Sequence, residues 1–127
     1  MPNGSIRQIR RVSSVATTLL ALAALFIGTV ALAQSGNPAN DRLLARSSAE
    51  QANLLGYVVG EGCTGRDAFY MGMQKSGRIA ACSIRCSDGR DFTVMIRPDS
   101  GGSTMVQECS VLKALAHVEC FKKFDEQ

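Results

Sequence analysis

The sequence predicts an α+β fold with an N-terminal helix, a four-stranded antiparallel meander and a C-terminal helix packed on the sheet. Three observations lead to this prediction. Residues 42–57 contain no Pro or Gly before Gly56 and are rich in helix-forming residues. Four short β-prone runs, separated by Gly-bearing turns, follow between residues 67 and 109. Residues 110–124 then repeat apolar side chains at helical spacing.

The first helix is expected to run from Arg42 to about Tyr57, with Asn40 or Asp41 as its cap. Residues 34–41 are polar and contain Gly and Pro, which predicts a flexible leader. The single small domain is therefore placed at residues 42–127.

The strands are expected at residues 67–73, 79–86, 91–97 and 104–109. A three-residue hairpin loop at Ser87-Asp88-Gly89 sets the register between the second and third strands. In that register Cys82 faces Val94 and Ile84 faces Phe92, which leaves one apolar face for the C-terminal helix to cover.

Residues 1–33 have the three parts of a secretory signal. Arg7, Arg10 and Arg11 precede an uncharged apolar run at 15–30, and Ala31-Leu32-Ala33 is a signal-peptidase site before Gln34. The alternative is an uncleaved segment that anchors the protein in the membrane. The sequence thus predicts a periplasmic or secreted protein whose only membrane contact is through this segment, if it is uncleaved.

The charge distribution argues against nucleic acid as a partner. Three of the 14 Lys and Arg residues lie before residue 34, and the remaining 11 are matched by 11 Asp and Glu residues. A nucleic-acid-binding domain needs a basic excess, so this class is excluded.

Five cysteines follow the signal segment, and an odd number leaves one thiol outside any intrachain bridges. Small exported domains use cysteines mainly for disulfides. Cys82 and Cys86 lie about 13 Å apart on one strand, and Cys109 and Cys120 about 16 Å apart on one helix, so neither pair can bridge. A meander brings Cys86, at the end of the second strand, and Cys109, at the end of the fourth, to the same end of the sheet. The hypothesis is that these two pair and that Cys63, in the loop before the first strand, pairs with the inward-facing Cys120, with Cys82 as a buried free thiol.

Catalytic chemistry has little support in the chain, and the protein is predicted not to be an enzyme. His117 is the only histidine, and pairing it with Cys120 or Cys109 as a nucleophile system is the thinnest of the alternatives. The carboxylates are scattered at turns and strand ends, without an acid and base pair. No cofactor is expected.

Soft-metal binding is the alternative function. Met71, Met73 and His117, with Met95, Met105 and the odd cysteine, are side chains that Cu(I) prefers. Methionine at alternate strand positions is equally typical of a strand that faces a core. The preferred prediction is a binding or accessory domain with no metal site and an unknown protein partner.

The second sheet face is expected to carry the apolar side chains of Phe69, Met71, Met73, Ile79 and Ala81. If this face is open, it is a candidate interaction surface. The alternative is that residues 42–57 cover it.

Several segments resemble a group of small uncharacterised exported bacterial Cys-containing proteins. They are Gly62-Cys63-Thr64-Gly65, Ala68-Phe69-Tyr70-Met71-Gly72-Met73, Ser83-Ile84-Arg85-Cys86-Ser87-Asp88-Gly89, Ile96-Arg97-Pro98-Asp99, Cys109-Ser110-Val111-Leu112-Lys113-Ala114 and Glu119-Cys120-Phe121-Lys122-Lys123. That resemblance implies no activity. A more distant similarity is to PepSY domains, secreted modules that restrain peptidases, through the Asp99-Ser100-Gly101-Gly102 step, and it implies a binding module.

Overall fold

The computed structural model describes residues 34–127, and the predicted signal segment lies outside them. The α+β fold class is confirmed. The helices are α1 (Pro38–Leu44), α2 (Ser48–Val59) and α3 (Cys109–Ala116), with a short 3₁₀ helix at Phe124–Glu126. The strands are β1 (Gly65–Met73), β2 (Ala80–Cys86), β3 (Asp91–Ile96) and β4 (Thr104–Glu108), paired antiparallel in the order β1-β2-β3-β4.

The N-terminal helical region consists of two helices rather than the single helix expected from Arg42 to Tyr57. Ser47 begins α2 with a capping box, in which its side chain accepts from the Glu50 backbone N–H and the Glu50 carboxylate accepts from the Ser47 backbone N–H. This box ends the preceding helix because the cap residue takes an extended backbone conformation.

Residues 34–41 do not form the flexible leader that the sequence predicted. Asn37 is fully buried, and its side-chain amide donates to the Ile96 carbonyl at 2.8 Å and to the Arg78 carbonyl at 3.0 Å. Its side-chain oxygen caps α1 by accepting from the Asn40 N–H, so Asn37 replaces Asn40 and Asp41 as the cap. One amide therefore joins the start of the domain to the sheet.

The predicted register between β2 and β3 is confirmed. Cys82 faces Val94, Ile84 faces Phe92, and the Cys86 N–H donates to the Arg90 carbonyl at 2.8 Å. Gly89 has φ +89°, which is the left-handed conformation that this loop requires.

A β-bulge in β1 separates two methionines that strict alternation would place on one face. Tyr70 faces Cys82 and Gly72 faces Ala81, so Met71 is the extra residue of the bulge. Met73 then faces Ala80 and packs against the core with Cys82, whereas the Met71 sulfur lies 3.9 Å from the Thr93 hydroxyl on the other face.

The N-terminal helices and the C-terminal part of the chain have exchanged the sheet faces that the sequence predicted for them. The face of Cys82, Ile84 and Val94 packs against Leu43 of α1 and Leu55 of α2, not against the C-terminal helix. Helix α3 contacts β3 and β4 and buries only Leu112. Residues 42–57 therefore cover the Cys82 face, and the prediction that they cover the Met71 face is wrong.

The C-terminal helix is shorter than the predicted span of residues 110–124. Helix α3 ends at Ala116, and His117 takes the left-handed conformation with φ +56°. The chain then turns back, which brings Cys120 to Cys109.

The disulfides join Cys63 to Cys86 and Cys109 to Cys120, so the predicted pairing is wrong. The assumption that Cys109 and Cys120 share a helix fails at His117, and their Cα atoms lie 5.8 Å apart. Cys63 lies 5.1 Å from Cys86 because Thr64 pairs with the turn after β2, its carbonyl accepting from the Ser87 N–H. Cys82 carries the free thiol.

Within residues 34–127, no helix has the length and apolar character needed to cross a membrane.

Candidate binding surfaces

The C-terminal segment closes the Met71 face of the sheet through two buried hydroxyl groups. The Ser83 side chain accepts from the Phe121 N–H at 3.1 Å, and the Thr93 hydroxyl lies 2.9 Å from the Cys120 sulfur. Ser83 and Thr93 face each other on β2 and β3. These polar residues therefore hold the segment that the Cys109–Cys120 disulfide ties to α3.

Phe121 covers the part of this face that the sequence marked as a candidate interaction surface. Its ring lies 6.3 Å from that of Phe69, and the Arg85 guanidinium sits 4.7 Å above it. Arg85 is fixed by two hydrogen bonds to Asp91 at 2.8 Å, which raise its pKa. Met71 and Ala81 are each only 1% exposed, so this part of the face is a second buried layer and not an open surface.

The structure does not bring the candidate copper ligands Met71, Met73 and His117 together, although both methionines line one cavity. The bulge puts the two methionines on opposite faces, and His117 shares a shallow cavity with Lys113 and Glu119. Met95 and Met105 do face each other across β3 and β4. Among residues 34–127 there is also no cluster of three or more His, Cys, Asp or Glu side chains suited to a metal ion.

The structure places the candidate nucleophiles in inactive forms. Cys109 and Cys120 are bonded to each other and hold no thiolate for His117 to activate. Cys82 is 2% exposed, and burial raises the pKa of its thiol to about 12, with a smaller opposing effect from Lys123. A thiol with this pKa is neutral at physiological pH and is a poor nucleophile.

Helix α2 carries an exposed apolar stripe formed by Leu54, Tyr57 and Val58. These side chains are 40%, 86% and 37% exposed and stand at i, i+3 and i+4, on one side of the helix. The opposite side of α2 is buried through Ala52 and Leu55. One side of α2 therefore packs on the sheet, and the α2 stripe on the other side is exposed.

The backbone of α2 is held close to the sheet by two glycines. A Cβ at Gly65 would lie 1.8 Å from the Ala52 carbonyl oxygen, and a Cβ at Gly56 would lie 2.6 Å from the Gly65 nitrogen. Only glycine allows this approach of helix to strand. The α2 stripe is consequently presented on a rigid support.

A small groove of about 210 Å³ lies between the N-terminal helices and the β4 side of the sheet. Its lining includes the buried apolar side chains of Leu43, Leu55, Val94 and Ile96, together with the exposed residues Arg42, Arg46 and Thr104. A larger, open cavity of about 690 Å³ lies at the other side, between the end of β1 and the C-terminal segment. It is lined by Met71, Gly72, Met73, Gln74, Lys75, Ser76, Lys123, Phe124 and Asp125.

Strand β4 is the terminal strand of the sheet on the side of this groove. Met105 and Val106 are 47% and 37% exposed. Over the part of the chain that the structure describes, the outer edge of β4 pairs with no other strand.

Sequence reasoning missed both the α2 stripe and the β4 edge. Leu54, Tyr57 and Val58 show helical spacing in the sequence, but the same spacing is expected of a buried face. Which strand of a meander is left open depends on where the helices pack, and the sequence pattern does not carry that information.

No family model, curated protein or solved structure matches the chain. The two resemblances drawn from the sequence stay predictions. The fold and its surfaces define the class of this protein as a small α+β domain with two disulfides.

Proposed function

We propose that this protein is an exported, non-enzymatic binding or accessory protein that contacts a partner protein through the α2 stripe. The observation that carries the proposal is the exposure of Leu54, Tyr57 and Val58 on one side of a helix held rigidly on the sheet. Exposed aromatic side chains with apolar neighbours are typical of protein interfaces.

Export to the periplasm or the medium is supported by the signal-like segment at residues 1–33 together with the two disulfides. Disulfides persist in oxidising compartments and are rare in the cytosol. The Cys63–Cys86 bridge spans 23 residues and joins the loop before β1 to the end of β2. The Cys109–Cys120 bridge spans 11 residues and joins the start of α3 to the C-terminal segment.

A non-enzymatic role is supported by the state of the reactive side chains. The single histidine has no thiolate beside it, and the free thiol of Cys82 lies inside the core. Exposed carboxylates such as Asp88 and Asp99 have pKa values lowered by hydrogen bonds within their own turns. Carboxylates held in this way stabilise turns and are poor general acids.

The binding surface is tested by site-specific photocrosslinking in the cell that produces the protein. A photoreactive phenylalanine analogue at Tyr57 is expected to form one discrete adduct with a second protein. The control carries the same analogue at Lys75, an exposed position at the opposite end of the sheet, and should form no such adduct.

The adduct must also depend on the stripe itself. L54D in the Tyr57-labelled protein should reduce the adduct by about tenfold, since a buried charge without a partner costs more than the corresponding free energy of 1.4 kcal/mol. The proposal is wrong if the Lys75 control gives the same adduct, if none forms, or if the only adduct is with a second copy of this chain.

Export has its own test, which is independent of the stripe. Intact mass of the protein from the cell envelope should correspond to a chain that begins at Gln34 and is four hydrogens lighter than the reduced form. A mass that retains residues 1–33 would indicate an anchored protein, and a fully reduced mass would contradict export.

A further inference from the structure

We propose that two copies of this protein pair through β4, antiparallel and centred on Val106, so that one continuous sheet runs through both. The proposal concerns the edge of β4 and does not depend on a partner for the α2 stripe, although Leu54 and Val58 of the stripe also line the groove beside this edge. Two-fold pairing places Val106 opposite Val106 of the second copy, Thr104 opposite Glu108, and Met105 opposite Gln107.

The alternation of hydrogen-bonded pairs along β3 and β4 determines which backbone N–H and C=O groups of β4 point outward. The Arg97 N–H donates to the Ser103 carbonyl at 2.9 Å, and bonded and non-bonded pairs alternate along an antiparallel ladder. Met105 and Gln107 therefore bond to β3, whereas Thr104, Val106 and Glu108 direct their N–H and C=O groups away from it. In the proposed register these outward groups meet as bonded pairs.

The other side of the sheet is protected from such pairing. Lys123 donates to the Tyr70 carbonyl of β1 at 2.6 Å, and β1 contains two register irregularities, one of them the Met71 bulge. Bulges and occupied carbonyls are devices that prevent strand addition. Strand β4 has neither over its length Thr104–Glu108.

Charge complementarity selects a second copy as the occupant. Thr104, Val106 and Glu108 share the sheet face of the groove, because they face Ile96, Val94 and Phe92. Pairing centred on Val106 brings Glu108 of the second copy beside Thr104, which lines the same groove as Arg42 and Arg46.

These charged groups have no ion-pair partners of their own within residues 34–127. The Glu108 carboxylate accepts only from the Ser110 hydroxyl, at 3.3 Å, and neither Arg42 nor Arg46 forms a salt bridge there. Because the axis is two-fold, each copy supplies both the acidic and the basic side, and two ion pairs form.

The first test is sedimentation velocity of the protein isolated from the cell envelope, over a concentration series into the millimolar range. We expect a reversible monomer and dimer equilibrium. V106P removes an outward N–H at an edge-strand position that tolerates proline, so it should weaken the dimer at least about tenfold while the monomer keeps its circular dichroism spectrum. L115S removes an exposed apolar side chain on α3 and should leave the dimer unchanged.

Hydrogen exchange followed by NMR separates β4 pairing from any other dimer. The amides of Thr104, Val106 and Glu108 should exchange slowly in concentrated samples and rapidly in dilute ones. The amides of Met105 and Gln107 bond to β3 and should be protected at both concentrations.

The ion pairs are tested by charge reversal. E108K should weaken the dimer, and R42E combined with R46E in the same chain should restore it. The proposal is overturned by a monomer at every concentration, by a dimer that V106P leaves intact, or by a dimer in which the three outward amides stay unprotected. Restoration must occur in the triple variant, and its absence would reject the register.

Discussion

Cys82 shows how the environment of one side chain decides its chemistry. Cys82 is 2% exposed and belongs to the core cluster with Leu55 and Ile84, and burial raises the pKa of its thiol from 9.0 to about 12. In an exported protein an exposed free thiol would oxidise or exchange with disulfides. Burial keeps Cys82 apart from both bridges.

Native Cys82 is therefore expected to resist alkylation. Iodoacetamide at pH 8 should label less than about a tenth of the protein in an hour and one thiol per chain in denaturant, since only the exposed thiolate reacts. Rapid native labelling, followed by mass spectrometry, would contradict the buried assignment. C82A is the control and should show no labelling in either state.

The same pKa shift predicts how stability depends on pH. Below pH 9 both the folded and the unfolded chain keep this proton, and the Cys82 contribution is constant. Between pH 9 and about 12 the unfolded chain loses the proton first, so the free energy of unfolding falls by about 1 kcal/mol per pH unit. Urea unfolding at pH 8 and pH 10 should show this loss in wild type and not in C82A.

The bulge at Met71 is a second case in which one residue changes the local structure. One extra residue in β1 reverses the facing of Met73 relative to Met71 and disperses the predicted copper ligands. The sequence offers Gly72, with φ +127°, as a sign of irregular backbone. A glycine in a strand permits a bulge without specifying one, so alternation was the simpler expectation.

At the scale of elements, strands were easier to predict than helices. All four strands lie within two residues of the expected spans, because alternating β-prone residues and Gly-bearing turns are local signals. The break between α1 and α2 also has a local signal, the capping-box spacing of Ser47-Ser48-Ala49-Glu50. The uninterrupted helix-forming composition around it predicted one helix instead.

The close packing of α2 on β1 leads to a prediction about Gly65. G65A should lower the free energy of unfolding by about 3 kcal/mol, because a Cβ at 1.8 Å from the Ala52 carbonyl forces helix and strand apart. Urea unfolding measures the loss. G101A is the matched control, with only an ordinary contact at 3.5 Å to Asp99, and should change stability by less than about 1 kcal/mol. Equal losses in the two variants would refute the close approach.

At the scale of the whole molecule, the C-terminal segment is the element that completes the second layer. It is fixed by the Cys109–Cys120 bridge, by Ser83 and Thr93 beneath it, and by the Phe121 ring on Phe69. Without the bridge, the remaining non-covalent contacts, including that of Lys123 with the Tyr70 carbonyl, must alone oppose the entropy of the released chain.

Removing this bridge is expected to free the segment while leaving the sheet intact. C109S/C120S should lose about 3 kcal/mol of stability, and trypsin should cleave after Lys122 and Lys123 at least about tenfold faster than in wild type. C82A keeps both bridges and serves as the control. An unchanged cleavage rate would show that the segment holds without the disulfide.

The sequence by itself determined the fold class, the four strands, the β2–β3 register and the four cysteines available for bridging besides Cys82. Each of these follows from local patterns, in which neighbouring residues supply the physical cause. Tertiary structure alone decided which end of the chain covers which sheet face, how the cysteines pair, and which edge of the sheet stays open. These features depend on where α3 ends and on the close packing of α2 against Gly65. Contacts of this kind join residues far apart in the chain, so local sequence patterns do not specify them.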